Sequence, residues 1–214
     1  MNRANGYVNL NTVSAEWLAA HAASPDTPNP LLDPAVSTQM VVDYHTRLGL
    51  AWSQGGWLEP RPDMHRGTYL EGEKLWLHLG VDVNIDVGTE VRALADGPIV
   101  YAATDAPLVG GWGYHVIQII EFRSRPHALI YAHLAQTPLA SVSSNISKGA
   151  ALGAIGAPYE NGGWFPHVHL QLFADVAAIT NWKKFSNDMD GYGTLNDRDA
   201  WAETCPDPTP LIFA

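Results

Sequence analysis

The stretch PHVHLQLF, residues 166–173, alternates between polar or aromatic side chains and aliphatic ones. This period of two is typical of a β-strand that buries one face. His167, His169 and Gln171 would share one face, and the aliphatic residues between them the other. The Cα atoms of the two histidines would lie roughly 6 to 7 Å apart. One of them could therefore bind a metal ion while the other reaches a substrate or water beside it.

A second alternating stretch, LWLHLGVDV (residues 75–83), carries His78 and Asp82. In a straight strand these residues would lie about 13 Å apart, too far to share one ion. A helix would bring them to roughly 6 Å, but a run of glycine and β-branched residues is a poor helix former. Gly80, halfway between them, can supply a bulge or kink. We therefore predict a bent strand.

A third stretch, LIYAHLAQ (residues 129–136), adds His133. Any one histidine on a strand is more often a hydrogen-bonded structural residue than a ligand. The five polar residues together have no obvious role in packing, whereas neutral imidazoles and a carboxylate commonly hold a divalent metal such as zinc in an open site. The pattern therefore favours a metal site.

The three stretches also resemble one family in their order and spacing. An H-x-x-x-D motif (His78, Asp82), a Tyr-x-His-Leu motif around His133 and a closing H-x-H motif (His167, His169) are typical of the lysostaphin-type (LytM-like) zinc metallopeptidases. These enzymes contain the duplicated hybrid motif fold and cut peptide cross-links of bacterial cell walls. The resemblance covers about residues 75–173.

The resemblance implies a role for each of the five residues. His78, Asp82 and His169 would bind one zinc ion, and His133 and His167 would be the catalytic histidines. The reaction would be hydrolysis of an amide or peptide bond by zinc-activated water. The substrate would be a peptide or small amide, including a peptidoglycan peptide.

Two further residues are candidates for substrate binding. Trp164 lies in the bulky loop ENGGWFP (residues 160–166), where the family usually has a small, glycine-rich loop, and it would form a wall of the cleft. Arg61 could bind a substrate carboxylate through two parallel hydrogen bonds. This loop and the late CPDP sequence (residues 205–208) resemble an intracellular branch of the family that is found fused to aminotransferase modules.

The composition of the 214-residue chain limits the class of protein further. Its net charge of −10 argues against a nucleic-acid partner. Cys205 is the only cysteine, so no disulfide can form within the chain. We find neither an apolar run of signal-peptide length at the start nor a stretch long enough to cross a bilayer. We expect a cytoplasmic protein, or one of the cell envelope if a leader has been trimmed.

The predicted fold is mainly β, with an antiparallel sheet or sandwich core. We predict an N-terminal helical and linker segment (residues 1–68), the zinc metallopeptidase-like β core (69–176) and a C-terminal tail packed on the core (177–214). One helix is expected over residues 11–23 with Ser14 as N-cap, and a second from Asp33 to Gly49. The predicted strands cover residues 75–83, 90–93, 97–103, 115–122, 128–134, 150–155 and 167–174.

Two other functions compete with hydrolysis. Phosphocarrier modules also combine an H-x-G-x-D segment with paired histidines in a β sandwich, but they lack the closing H-x-H motif. A non-hydrolytic binding module of the same fold is disfavoured, because such modules usually lose a ligand and all five expected residues are present here.

Overall fold

The computed structural model describes residues 4–24, 26–105, 110–136, 142 and 145–213. The α-helices are α1 (Leu10–Ala20), α2 (Pro34–Leu48), α3 (Tyr69–Glu73), α4 (Trp182–Asp188), α5 (Arg198–Thr204) and α6 (Thr209–Ile212). The strands are β1 (Ala4–Val8), β2 (Leu50–Gly55), β3 (Glu59–Pro60), β4 (Leu77–His78), β5 (Val81–Asn84), β6 (Glu90–Arg92), β7 (Gly97–Thr104), β8 (Tyr114–Phe122), β9 (Arg125–Leu134), β10 (Asn145–Ile146), β11 (Ala151–Ala154), β12 (His167–Phe173) and β13 (Tyr192–Gly193).

One large sheet dominates the fold. Its eight strands run in the order β1-β2-β5-β12-β9-β8-β7-β10, and every pair except β1 with β2 is antiparallel. The pair β11-β6 and the three-stranded sheet β13-β4-β3 lie outside it. The prediction of a mainly β, antiparallel core is confirmed.

The large sheet lies between two apolar layers. Val168, Leu170 and Leu172 of β12 are buried in one layer, as their alternation predicted. The other face carries a second cluster that includes Ile130 of β9 and Met189 of the C-terminal tail. The histidines of β12 extend from this second face, so the tail lies on the side of the sheet that holds the site.

The N-terminal segment packs its two longer helices against one end of the sheet. Asp33 caps α2 by accepting a hydrogen bond from the backbone N–H of Ala35, and Gly49 ends it with a φ of +67°. The prediction for this helix is confirmed. Ser14 is not the cap of α1: Asn9 is, because its side chain accepts from the backbone N–H of Thr12 at 2.8 Å.

Three strands in this segment, β1, β2 and β3, were not predicted. Strand β1 pairs in parallel with β2, and β2 pairs with β5, the strand that carries Asp82. The segment therefore continues the sheet of the core. No helix in the described ranges is long and apolar enough to cross a membrane.

Candidate metal centre and cleft

The predicted strand is interrupted between His78, at the end of β4, and Val81, at the start of β5. This break brings His78 Nε2 within 3.2 Å of Asp82 Oδ1. A Cβ on Gly80 would lie 2.5 Å from the carbonyl oxygen of Leu170 and 2.7 Å from the His169 ring. The bend occurs where the sequence predicted it, and glycine is needed there because β12 approaches so closely.

The sheet register then brings the third residue into place. His169 faces Asp82 directly across the β12–β5 pair. His169 Nδ1 lies 3.0 Å from Asp82 Oδ1 and 3.0 Å from His78 Nε2. A tetrahedral ion with bonds of about 2.0 to 2.2 Å would separate its ligand atoms by about 3.3 to 3.6 Å. The three buried side chains therefore form a group that could bind a metal ion.

The second nitrogen of each candidate ligand histidine has a hydrogen-bond partner that determines which ring atom faces the group. His78 Nδ1 donates to the carbonyl oxygen of Gly56 at 2.9 Å, and His169 Nε2 donates to Gln171 Oε1 at 2.8 Å. The amide nitrogen of Gln171 donates to the carbonyl oxygen of Asp190, which fixes the amide orientation. In its neutral form, each ring would therefore direct a lone pair at the other and at the carboxylate. A cation between them removes that repulsion, so the donor set fits a divalent metal.

The protonation states agree with this arrangement. Burial, and after it the charge of Arg61, lowers the pKa of His78 to about 4, which keeps its ring neutral. Burial alone would raise the pKa of Asp82, but the neighbouring His78 and Arg61 outweigh it and hold that pKa well below its usual value. A neutral imidazole and an ionised carboxylate are the forms that bind metals.

A β-bulge turns His133 towards the same place. In the pairing of β8 with β9, Tyr114 faces Leu134 and Val116 faces Tyr131, so β9 has one extra residue in between. His133 has a φ of +66°, which is strained for a residue other than glycine. Leu134 joins Tyr131 in the first apolar layer, on the face that a regular strand would have given to His133. The bulge therefore frees His133 to face the cleft.

His133 and His167 lie side by side, with ring centroids 4.5 Å apart. Their Nδ1 atoms donate to the carbonyl oxygens of Asn161 and Phe165, both at 2.8 Å. A carbonyl can only accept, so each Nε2 of the neutral rings is an acceptor. Burial is the main cause that lowers the pKa of both histidines.

These side chains line a cleft of about 470 Å³ with several aromatic walls. Trp164 lies 6.1 Å from His133, and Trp112 lies 5.3 Å from His169, measured between ring centroids. Arg61 also lines the cleft, but its guanidinium contacts Asp82 and Glu59. Six of the seven candidate residues thus line one cleft, and the seventh, His78, adjoins it through its contacts with His169 and Asp82.

Sequence reasoning missed several residues of this cleft, and two of them, Trp112 and Tyr192, lie next to the candidate ligand histidines. Trp112 stands between glycines just before β8, and an aromatic residue in such a run was a weak signal that could have been noticed. Tyr192, whose ring lies 5.3 Å from that of His78, comes from the C-terminal tail. No motif marks it.

Residues 77–180 match the model of peptidase family M23. The match covers a little under half of the 214 residues, and the chain is similar to this family over that part. The match includes all five polar residues of the three motifs, and it begins after Arg61. The predicted resemblance to the lysostaphin-type family is confirmed, and the M23 domain is of the metallopeptidase type. The likeness to an intracellular branch stays a prediction.

Two known proteins are similar to parts of the chain. The murein hydrolase activator EnvC of Escherichia coli (strain K12) is 28% identical over 127 residues, which are 58% of this chain and 27% of that protein. The chain therefore spans about a quarter of that relative. The catalytic domain of the antimicrobial peptidase lysostaphin from Staphylococcus simulans gives a TM-score of 0.50 at 21% identity, over 83% of this chain and 98% of that domain. This second likeness shows that the fold is shared.

Proposed function

We propose that the protein is a zinc metallopeptidase that hydrolyses an amide or peptide bond. The observation that carries the proposal is the convergence of three possible ligand atoms, on His78, Asp82 and His169, beside two further histidines whose Nδ1 atoms are fixed on backbone carbonyls. The M23 family of residues 77–180 supports it.

Zinc suits this donor set because it favours imidazole nitrogen and carboxylate oxygen and is often bound by three protein ligands in catalytic sites. When bound, it would supply a Lewis acid and lower the pKa of a water in the open position. The other steps belong to side chains of this chain.

His133 and His167 are the groups that can move protons. Their Nδ1 atoms are fixed on backbone carbonyls, so each Nε2 can accept a proton from the attacking water and return it to the leaving amine. The lowered pKa of each ring keeps it neutral and able to accept. A protonated ring can then also stabilise negative charge on the carbonyl oxygen.

The substrate we propose is a peptide or a small amide. The aromatic walls formed by Trp112, Trp164 and Tyr69 suit an extended chain with apolar or neutral side chains. The names of the two similar proteins concern murein and an antimicrobial peptidase, which makes peptidoglycan peptides the first candidates. The sequence is equally consistent with a cytoplasmic enzyme that acts on small amides or peptides. If a leader has been removed, we propose that the protein acts in the cell envelope.

The test begins with the wild-type protein purified without added metal. Elemental analysis should find about one zinc per chain, and peptide cleavage by mass spectrometry should stop on chelation and return with zinc. The substrate panel should contain muropeptides, short peptides and small amides. Metal binding without cleavage of any of them would favour a non-hydrolytic module. The similar protein EnvC is named as a murein hydrolase activator, so an activator would be one such module. A phosphohistidine without bound metal would favour a phosphocarrier.

A further inference from the structure

Arg61 is buried beside the metal group, with only 1% of its surface exposed. Its Nη1 donates to Asp82 Oδ2 at 2.6 Å and to the hydroxyl of Tyr192 at 3.2 Å, and its Nε donates to Glu59 Oε1 at 2.9 Å. The guanidinium thus joins a metal-ligand carboxylate to a second carboxylate that is not a ligand.

Glu59 is itself held firmly. Its Oε1 accepts from the backbone N–H of Leu10 at 3.0 Å, and its Oε2 accepts from the Tyr7 hydroxyl at 2.9 Å and the Gly56 backbone N–H at 3.2 Å. These donors satisfy both oxygens of the buried carboxylate, which lowers the cost of burying its charge. Glu59 therefore forms a fixed support for Arg61.

The remaining guanidinium nitrogen of Arg61 is not available to bind a substrate in the cleft. Nη2 is buried and lacks a hydrogen-bond partner among the described residues. A Cβ at Gly55 would lie 2.7 Å from it, so this nitrogen packs against the backbone of β2. The two donors that could form a fork on a substrate carboxylate are thus either engaged by Glu59 and Asp82 or packed against the protein.

We propose that Arg61 is a positioning residue for Asp82, with Glu59 holding it in place. By occupying Oδ2, Arg61 leaves Oδ1 to face the histidines, with His78 at 3.2 Å, His169 at 3.0 Å and His167 at 3.5 Å, which fixes Asp82 as a one-oxygen ligand. This inference rests on the proposed metal site. The proposal also gives the N-terminal segment a function in the metal site, because Arg61 and Glu59 both lie outside the region that matches the M23 family.

The planar guanidinium is essential to this role. Its N–H groups point in different directions in one plane and can reach Glu59 and Asp82 together. A lysine ammonium is a single point on a flexible stem. It would hold one carboxylate at a time, so we expect Arg61→Lys to recover only part of the effect.

The experiment uses the full chain with the double substitution Glu59→Gln and Arg61→Met. The pair removes one positive and one negative charge together, so that Glu59 is not left charged without Arg61, and circular dichroism with thermal unfolding checks that the variant folds. Arg47→Met with Glu16→Gln, which removes an exposed ion pair far from the cleft, is the matched control. Zinc affinity is measured by competition with a chelator, and ligand geometry by the visible absorption of the cobalt(II)-substituted protein.

We expect the buried double variant to bind zinc roughly 10- to 100-fold more weakly, with an altered cobalt spectrum, and the control to match the wild type. A nearby cation by itself repels a metal ion, so a rise in affinity would mean that charge, not positioning, dominates. Unchanged affinity and spectrum would also overturn the proposal. So would a variant that alters only the KM of substrates with a free carboxylate.

These readouts separate the proposal from the proposed function. A wild-type protein that binds cobalt but cleaves nothing would refute the peptidase, while the affinities and spectra would still decide the role of Arg61. A wild-type protein that binds no metal would overturn both.

Discussion

The cleft holds two pairs of histidines that differ in how their rings are fixed. His78 and His169 direct lone pairs at each other and at Asp82, within 3.2 Å. His133 and His167 lie beside them with their Nδ1 atoms on backbone carbonyls, and His167 Nε2 lies 3.5 Å from Asp82 Oδ1. The same type of side chain is thus held in two different ways, which fits the two roles proposed above for the two pairs.

The ligand group gives the largest expected effect. His78→Ala, Asp82→Ala or His169→Ala should each strip the metal, because two remaining ligands cannot hold it in a buried site, and turnover should be lost with it. Zinc content after desalting and peptide cleavage are the measurements.

A matched control for the ligand variants is His127→Ala. His127 is also buried on a strand, with its Nδ1 on the carbonyl oxygen of Arg125, but it lies outside the cleft. It should keep both metal and activity. Full zinc occupancy in any of the three ligand variants would show that the ligand set is wrong.

The second pair should behave differently. His133→Ala or His167→Ala should keep the zinc but lower kcat by about 10²- to 10⁴-fold, the usual range for loss of a general acid or base. Parallel zinc analysis and steady-state kinetics test this. If either variant lost its metal as completely as His169→Ala, the distinction between the two pairs would fail.

Much of the ligand group could be predicted from the sequence. Alternation placed His167 and His169 on one face, and the distance argument required a break near Gly80. Both depend on local backbone geometry, which a short stretch of sequence determines.

The orientation of His133 could not be predicted in the same way. Simple alternation places it on the face of Tyr131, and only the bulge in the pairing with β8 turns it to the cleft. A bulge depends on the partner strand, which a single stretch does not specify. The motif resemblance, not the strand pattern, identified this residue.

The contacts of Arg61 could not be predicted from the sequence either. The sequence suggested a group for binding a substrate carboxylate, and that role stays a prediction that competes with the positioning role proposed above. Its partners lie on different strands, Glu59 on β3 and Asp82 on β5, and the unpredicted strands β1, β2 and β3 carry no motif. Long-range pairing of this kind leaves little trace in one sequence.

We expect a smaller effect when the hydrogen bond that supports only one of the two proposed ligand histidines, His169, is removed. Gln171→Met removes the acceptor of His169 Nε2, so the ring loses the contact that fixes its tautomer. Zinc affinity should fall by roughly 10-fold, at the low end for such supporting contacts. Gln118→Met, another fully buried glutamine but one in β8 away from the metal group, is the control. Equal zinc affinities for the two variants would mean that the support is dispensable.

The smallest effect concerns the wall beside the second pair. Trp164 is held by hydrogen bonds from its indole N–H to the Gly111 carbonyl and from its backbone to Asn161, the residue that also anchors His133. If its ring binds substrate, Trp164→Phe should keep most activity. Trp164→Ala should raise KM by about 3- to 10-fold with kcat nearly unchanged, because an aromatic contact contributes roughly 0.5 to 1.5 kcal/mol. A fall in kcat with constant KM would instead show that Trp164 acts through the Asn161 loop on His133, and it would move the residue from substrate binding to the support of the catalytic pair.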